Sequence, residues 1–167
     1  MSSTVKRLLT FFIGVPLVLA FVYFDIYNHL PLNILIFAFS VFGSIEFYNM
    51  VSTKFSLFPK PLIVTFSCVL PIISYVFSLI GLPYDACIMI FFFFIALLMG
   101  IEALTSKTFE NSFTKIASST LIIFYCGFIF SFLQRLTVVE NSKYVISLFL
   151  VLVFLCDSAA WLFGVLF

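Results

Sequence analysis

Charged residues punctuate this 167-residue chain at intervals of about twenty positions, and the stretches between them are almost wholly apolar. The apolar runs fall near 8–24, 30–50, 61–81, 85–104, 116–134 and 144–165. A helix needs about 20 apolar residues to cross roughly 30 Å of hydrocarbon, so each run is about long enough to span a bilayer. The pattern therefore predicts an all-α, polytopic integral membrane protein with about six transmembrane helices. No stretch is left for a soluble domain, and residues 1–167 read as a single membrane domain. The segments "LFPKPL" and "GLPYD" mark tight connections, which make successive helices antiparallel neighbours.

The first run follows Lys6 and Arg7, as the apolar part of a signal peptide would. At 17 residues, "LLTFFIGVPLVLAFVYF" is too long for that, and no small-x-small cleavage site follows, so it reads as a retained helix. Each run carries one of the six glycines, Gly14, Gly43, Gly81, Gly100, Gly127 and Gly164. Small residues let helices approach closely in lipid, where apolar burial gives helices no reason to associate. No G-x-x-x-G pair and no internal repeat occurs.

Composition sharpens the assignment to the membrane. The chain is 64% hydrophobic and 20% aromatic, with 26 phenylalanines, and its net charge is +1. A chain this weakly charged has no basic field to collect nucleic acid, so that class of partner is excluded. Cys68, Cys87, Cys126 and Cys156 each stand alone in an apolar stretch without metal or redox spacing, and read as small buried hydrophobes.

The basic residues orient the spans. Lys6 and Arg7 precede the first, Lys54 and Lys60 lie between the second and third, and Lys107 and Lys115 lie between the fourth and fifth. These six share one side; the other holds only Arg135 and Lys143, offset by Glu140. The expectation is a multi-pass cell-membrane protein with a cytoplasmic N-terminus. Three acids then face the cytoplasmic half: Glu46 in "SIEFYNM", Glu102 in "MGIEALTSK", and Asp157. Asp157 follows Lys143 by 14 residues, and at about 1.5 Å per residue it lies about 21 Å into the bilayer.

A carboxylate in hydrocarbon is costly unless protonated, paired or set in a wet cavity, which makes each acid a functional candidate. Glu102 has a plain reading, contact with headgroup water and with Lys107 nearby. Glu46, near a helix end, stands between that reading and a role as a second acid. Asp157 has no basic residue within helical reach. Its plain reading is a neutral acid hydrogen-bonded inside the bundle. At helical spacing it shares a face with Ala160, Trp161 and Gly164, and Ser158 lies beside it. The small residues leave room, while Trp161 adds one N–H donor and Ser158 a hydroxyl. This is a polar notch on an apolar helix. Magnesium is commonly held by one or two carboxylates together with phosphate oxygens and water, so a phosphate-bearing partner suits an isolated acid.

Other polar residues read plainly. His29, the single histidine, is expected in a solvated or interfacial loop, and Gln134 and Arg135 are expected to reach the interface from a helix end. Tyr23, Tyr27, Tyr48 and Tyr144 fit an interfacial aromatic belt. P-loop, G-x-S-x-G, H-E-x-x-H and Rossmann glycine patterns do not occur.

The segment "CDSAAWLFGVLF" resembles the D-[ST]-x-A-[YW]-x-x-G stretch of the phosphatidate cytidylyltransferases, or CDP-diacylglycerol synthases. "KRLLTFFIGVPLVLAFVYF" is similar to that family's opening basic residue and proline-containing first helix, and "SIEFYNMV" to a glutamate-aromatic stretch ending an early helix. The resemblance spans most of the chain. It implies an enzyme that converts CTP and phosphatidate to CDP-diacylglycerol and pyrophosphate in phospholipid biosynthesis, using Mg2+. Asp157 would be the catalytic and metal-binding carboxylate, and Ser158, Trp161 and Gly164 would border the substrate. The chain departs from the pattern where Val165 replaces a basic residue, and where no S-P-K-K-T-like loop or K-R-x-x-K-D segment follows. The C-terminal catalytic portion of the family is therefore expected to be missing, and the chain alone to be inactive unless a second polypeptide supplies it. Two other readings of the acids stand beside this one: a proton- or cation-coupled transporter subunit, and a structural membrane subunit.

Overall fold

The computed structural model describes residues 13–14, 16–24 and 26–166. Of the first predicted span, residues 8–12 and 15 lie outside the described residues, as do Lys6 and Arg7. Residues 16–23 are helical (α1), followed by α2 (Leu30–Val51), α3 (Lys60–Ile80), α4 (Asp85–Thr105), α5 (Ser112–Leu136) and α6 (Ser142–Leu166). The described residues contain no strand. Among the described residues five helices are long and apolar enough to cross a membrane: α2, α3, α4, α5 and the Ser142–Trp161 part of α6. The all-α membrane architecture expected from the spacing of charges is the one found.

Local chemistry sets the helix ends. Pro61 sits in the first turn of α3, where its missing N–H costs nothing. The same helix stops at Gly81, whose φ of 74° is the left-handed cap conformation that only glycine adopts without strain. Leu82 N–H then donates to Phe77 O at 2.9 Å, satisfying a carbonyl the helix leaves open. Gly81 therefore ends a helix and does not mediate packing. Gly127 does what the sequence pattern led us to expect of all six: a Cβ there would lie 2.7 Å from Ser67 O. Gly100 and Gly164 have no atom within 4 Å of that position.

The chain divides into two compact units, residues 1–32 with 136–167, and residues 33–135. In the second, Phe58, Ile63, Leu70, Phe91, Phe94, Leu98, Ile122 and Ile123 form a buried cluster. Phe66 stacks on Phe94 with centroids 4.2 Å apart, and Phe91 on Phe128 at 4.5 Å. Lipid tails are as apolar as these side chains, so contact and interhelical hydrogen bonding must hold the helices together. Buried hydroxyls supply those bonds at Ser40, Ser74, Ser119 and Ser131, whereas the buried Ser44 and Ser67 donate to carbonyls of their own helices. Ser119 Oγ, for example, accepts the N–H of Phe58 at 3.2 Å and pins the α2–α3 connection to α5. Large apolar side chains such as Phe42, Met89 and Phe92 point outward, as a surface in contact with lipid requires.

Two irregularities interrupt the helices of this unit. Pro71 lies inside α3, and residues Phe124–Phe128 of α5 form a π-turn. The apolar periodicity showed neither as a break.

Candidate functional site

Asp157 lies on α6, a helix built from a long apolar run without an internal glycine or proline before Gly164. Ser158, Ala160, Trp161 and Gly164 fall on the same uninterrupted helix, so the predicted spacing of the notch is realised. All five positions are exposed, Trp161 at 37%. Only 6% of the α6 span is buried, against 28–33% for the other four. The notch offers two carboxylate oxygens that accept, one hydroxyl that donates and accepts, and one indole N–H that donates. The expectation that Cys156 is buried is corrected: it is exposed beside Asp157, whereas Cys68, Cys87 and Cys126 are buried.

The other two acids belong to the 33–135 unit. Glu46 is exposed on α2, about one and a half turns before its end. Glu102 is 3% exposed and its carboxylate is fully engaged. Oε1 accepts from Ser106 Oγ at 2.6 Å and from Ser112 Oγ at 2.7 Å, and Oε2 accepts from Lys115 Nζ at 2.6 Å. The cation that pairs with Glu102 is therefore Lys115, not Lys107, which is exposed. The α4–α5 connection explains the choice. Ser106 leaves α4 in an extended conformation, and its reversal carries the first turn of α5 back beside the last turn of α4. The Lys115 ammonium also lies 4.4 Å from the centroid of the Phe58 ring, so the pair is closed from the side by an aromatic face. Glu102 ties two helix ends together, with both of its oxygens committed to partners within the protein.

Polar residues expected at an interface prove to be buried. His29 is 1% exposed, and its Nε2 lies 2.9 Å from Ser142 Oγ. The chain reaches that position through three consecutive left-handed residues, Tyr27, Asn28 and His29, a conformation asparagine tolerates better than most. Gln134 is 1% exposed and its Nε2 donates to Asn33 Oδ1. Arg135 does remain exposed, with its guanidinium carbon 4.9 Å from the Tyr84 ring centroid. Tyr84, in the α3–α4 connection, shares a hydrogen bond with Ser131 at 2.7 Å. Burial pushes its phenol above the ordinary range, and the Ser131 hydroxyl draws it partly back.

Among the described residues no three of His, Cys, Asp and Glu come together, so they form no preassembled metal cage. The donor set does fit a cation that brings its other ligands with it. Magnesium demands oxygen ligands, keeps several waters, and is usually held by one or two carboxylates plus substrate phosphates. Asp157 can supply one such carboxylate, and its exposure leaves space for the rest. A carboxylate, a hydroxyl and an indole N–H on one stretch of helix can together bind a cation and donate hydrogen bonds to an oxygen-rich ligand.

No curated protein and no solved structure matches the chain. The model of the cytidylyltransferase family, in contrast, matches residues 5–167, from before the first span to the last residue, and by that match the chain belongs to the cytidylyltransferase family.

Proposed function

We propose that the protein serves the transfer of a cytidylyl group from CTP to phosphatidate, giving CDP-diacylglycerol and pyrophosphate. The family match over residues 5–167 carries this reading, since it implies a CTP-type substrate. The membrane setting supports a lipid as the acceptor, because the described helices are apolar enough to lie in a bilayer, where such a lipid resides.

In the reaction a phosphate oxygen of the lipid attacks the α-phosphorus of CTP. The bond from that phosphorus to the oxygen bridging to the β-phosphorus breaks, and pyrophosphate leaves with the electron pair. Such transfers depend mostly on in-line positioning and on neutralising charge. Magnesium, when bound with the triphosphate, supplies that neutralisation. Asp157 would hold the cation by one carboxylate, Ser158 and Trp161 would donate to phosphate oxygens, and Gly164 would keep the approach clear. One carboxylate does not complete a triphosphate site, and Val165 stands where a basic residue would help. The remaining ligands are assigned to a further polypeptide segment.

CTP is a cytoplasmic molecule, and the distribution of basic residues fits a multi-pass cell-membrane protein with its N-terminus on that side. The test is a cytidylyl-transfer assay in membranes with labelled CTP, phosphatidate and magnesium, on this chain with and without a second polypeptide that carries further acidic and basic ligands. The expected result is labelled CDP-lipid only with the second polypeptide present, and a loss of about a hundredfold or more in Asp157→Asn. Full activity in Asp157→Asn removes Asp157 from the mechanism. No labelled lipid under either condition overturns the reaction itself.

A further inference from the structure

Along α5 the buried positions Ser119, Ile123, Gly127 and Ser131 stand four residues apart, with Ile122 and Cys126 buried beside them. Three turns of α-helix take about 10.8 residues, whereas Ser119 to Ser131 spans twelve. The π-turn at Phe124–Phe128, where the N–H of Ile129 reaches back five residues to Phe124 O, absorbs the extra residue. Because of it, both halves of α5 present polar residues to their partners. Ser112 and Lys115 meet Glu102 at one end, while at the other Ser131 meets Tyr84 and Ser74, and Gln134 meets Asn33.

A second defect faces the first. Proline at 71 has no N–H, so Ser67 O, four residues earlier in α3, lacks its helical donor. That carbonyl lies against Gly127 in the π-turn, so close that a Cβ at 127 would sit 2.7 Å from it. One side chain on α2 reaches both defects. Ser40 Oγ lies 2.5 Å from Cys126 O in the π-turn and 3.2 Å from Ser67 O, and is itself fully buried. A hydroxyl has one hydrogen to give, and here it has two carbonyls to choose between.

We propose that the π-turn of α5 is a register switch with Ser40 as its latch. With the Ser40 hydrogen on Cys126 O, the turn is held wide and α5 keeps the register seen here. With the hydrogen on Ser67 O, the π-turn closes to an α-turn. One residue of register then turns the Ile129–Leu136 half by about 100° and shifts it by about 1.5 Å relative to the Ser112–Ile123 half. Ser131 leaves Tyr84 and Ser74, and Gln134 leaves Asn33, while the Glu102–Lys115 end stays anchored. The switch thus links a hydroxyl deep in the bundle to the polar contacts at the Leu136 end of the helix.

The test is residue-resolved amide hydrogen exchange on the full chain in lipid nanodiscs, with variants that push the latch in opposite directions. Ser40→Ala removes the hydrogen, and exchange at 129–136 is expected to rise about tenfold while 112–123 is unchanged. Ser40→Thr, which keeps the hydroxyl, restores the slow exchange. Pro71→Ala gives Ser67 O a backbone donor, leaves Ser40 to Cys126 O, and slows exchange at 129–136. An unchanged or evenly raised rate along α5 in Ser40→Ala overturns the switch, as does a shift of the same sign in Pro71→Ala. If Ser40→Ala does not fold, Pro71→Ala decides alone: slower exchange at 129–136 upholds the switch, and unchanged or faster exchange overturns it.

Discussion

A carboxylate inside an apolar helix needs donors, and Glu102 has three of them within 2.7 Å. Two are neutral hydroxyls and one is the Lys115 ammonium, whose removal would leave a negative charge buried with only serines to solvate it. Lys115→Met is therefore expected to lower the thermal midpoint of the protein in detergent more than a surface lysine substitution such as Lys107→Met. In a Glu102→Gln background, where no charge remains to be paired, the same Lys115→Met change should cost clearly less. A thermal-unfolding double-mutant cycle measures this difference, and equal losses in both backgrounds would show the pair to be uncoupled. Glu102 and Ser106 stand four residues apart, which places them on one helix face in the sequence alone. Lys115 could not be read that way, because Lys107 is nearer along the chain and only the reversal between α4 and α5 decides between them. His29 and Gln134 were misjudged for a related reason. Both belong to residue types usually found at surfaces, and the partners that permit burial, Ser142 and Asn33, lie 113 and 101 positions away in sequence.

At the scale of elements, the length of the apolar runs was the most legible signal, since hydrocarbon thickness sets helix length whatever the side chains. Every helix from α2 to α6 lies within a few residues of a predicted run. Glycine was less legible, because one residue type serves unrelated purposes: a left-handed cap at Gly81 and a close backbone approach at Gly127. The difference is measurable. A Cβ at Gly127 meets the backbone of Ser67 at 2.7 Å and 2.9 Å, and backbone cannot rotate away as a flexible side chain can. Gly127→Ala should cost about 2 kcal/mol of stability. Gly100→Ala meets nothing within 4 Å, and should fall within about 0.5 kcal/mol of the parent. Denaturation of the two variants in the same detergent tests the contrast, and similar losses would mean that α3 and α5 are not held as closely as the structure has them. The π-turn was not legible at all, since apolar residues at every position of "FYCGF" hide a change of period from 3.6 to 4.

At the scale of the whole molecule, the outward face of α6 sets the proposed chemistry against stability. Its span is the least buried of the five, and Asp157 is exposed on it about two-thirds of the way along the predicted crossing. An aspartate near the middle of a membrane helix opposes insertion by about 2.5–3.5 kcal/mol, and somewhat less away from the centre. A residue kept there for packing would lower stability when replaced, because its hydrogen-bond partners would be left unsatisfied. A residue kept for its reactivity toward a phosphate-bearing substrate would do the opposite. Asp157→Leu is accordingly expected to raise the fraction of chains with α6 inserted, and the thermal midpoint in detergent, while the proposed cytidylyl transfer is lost. A glycosylation-site insertion assay and an unfolding curve read the two stability effects independently of activity. A fall in both would return Asp157 to the structural role, as a neutral acid holding helices together. A rise in both, with transfer lost, would show a helix that carries its carboxylate at a cost to its own stability, for use by a substrate.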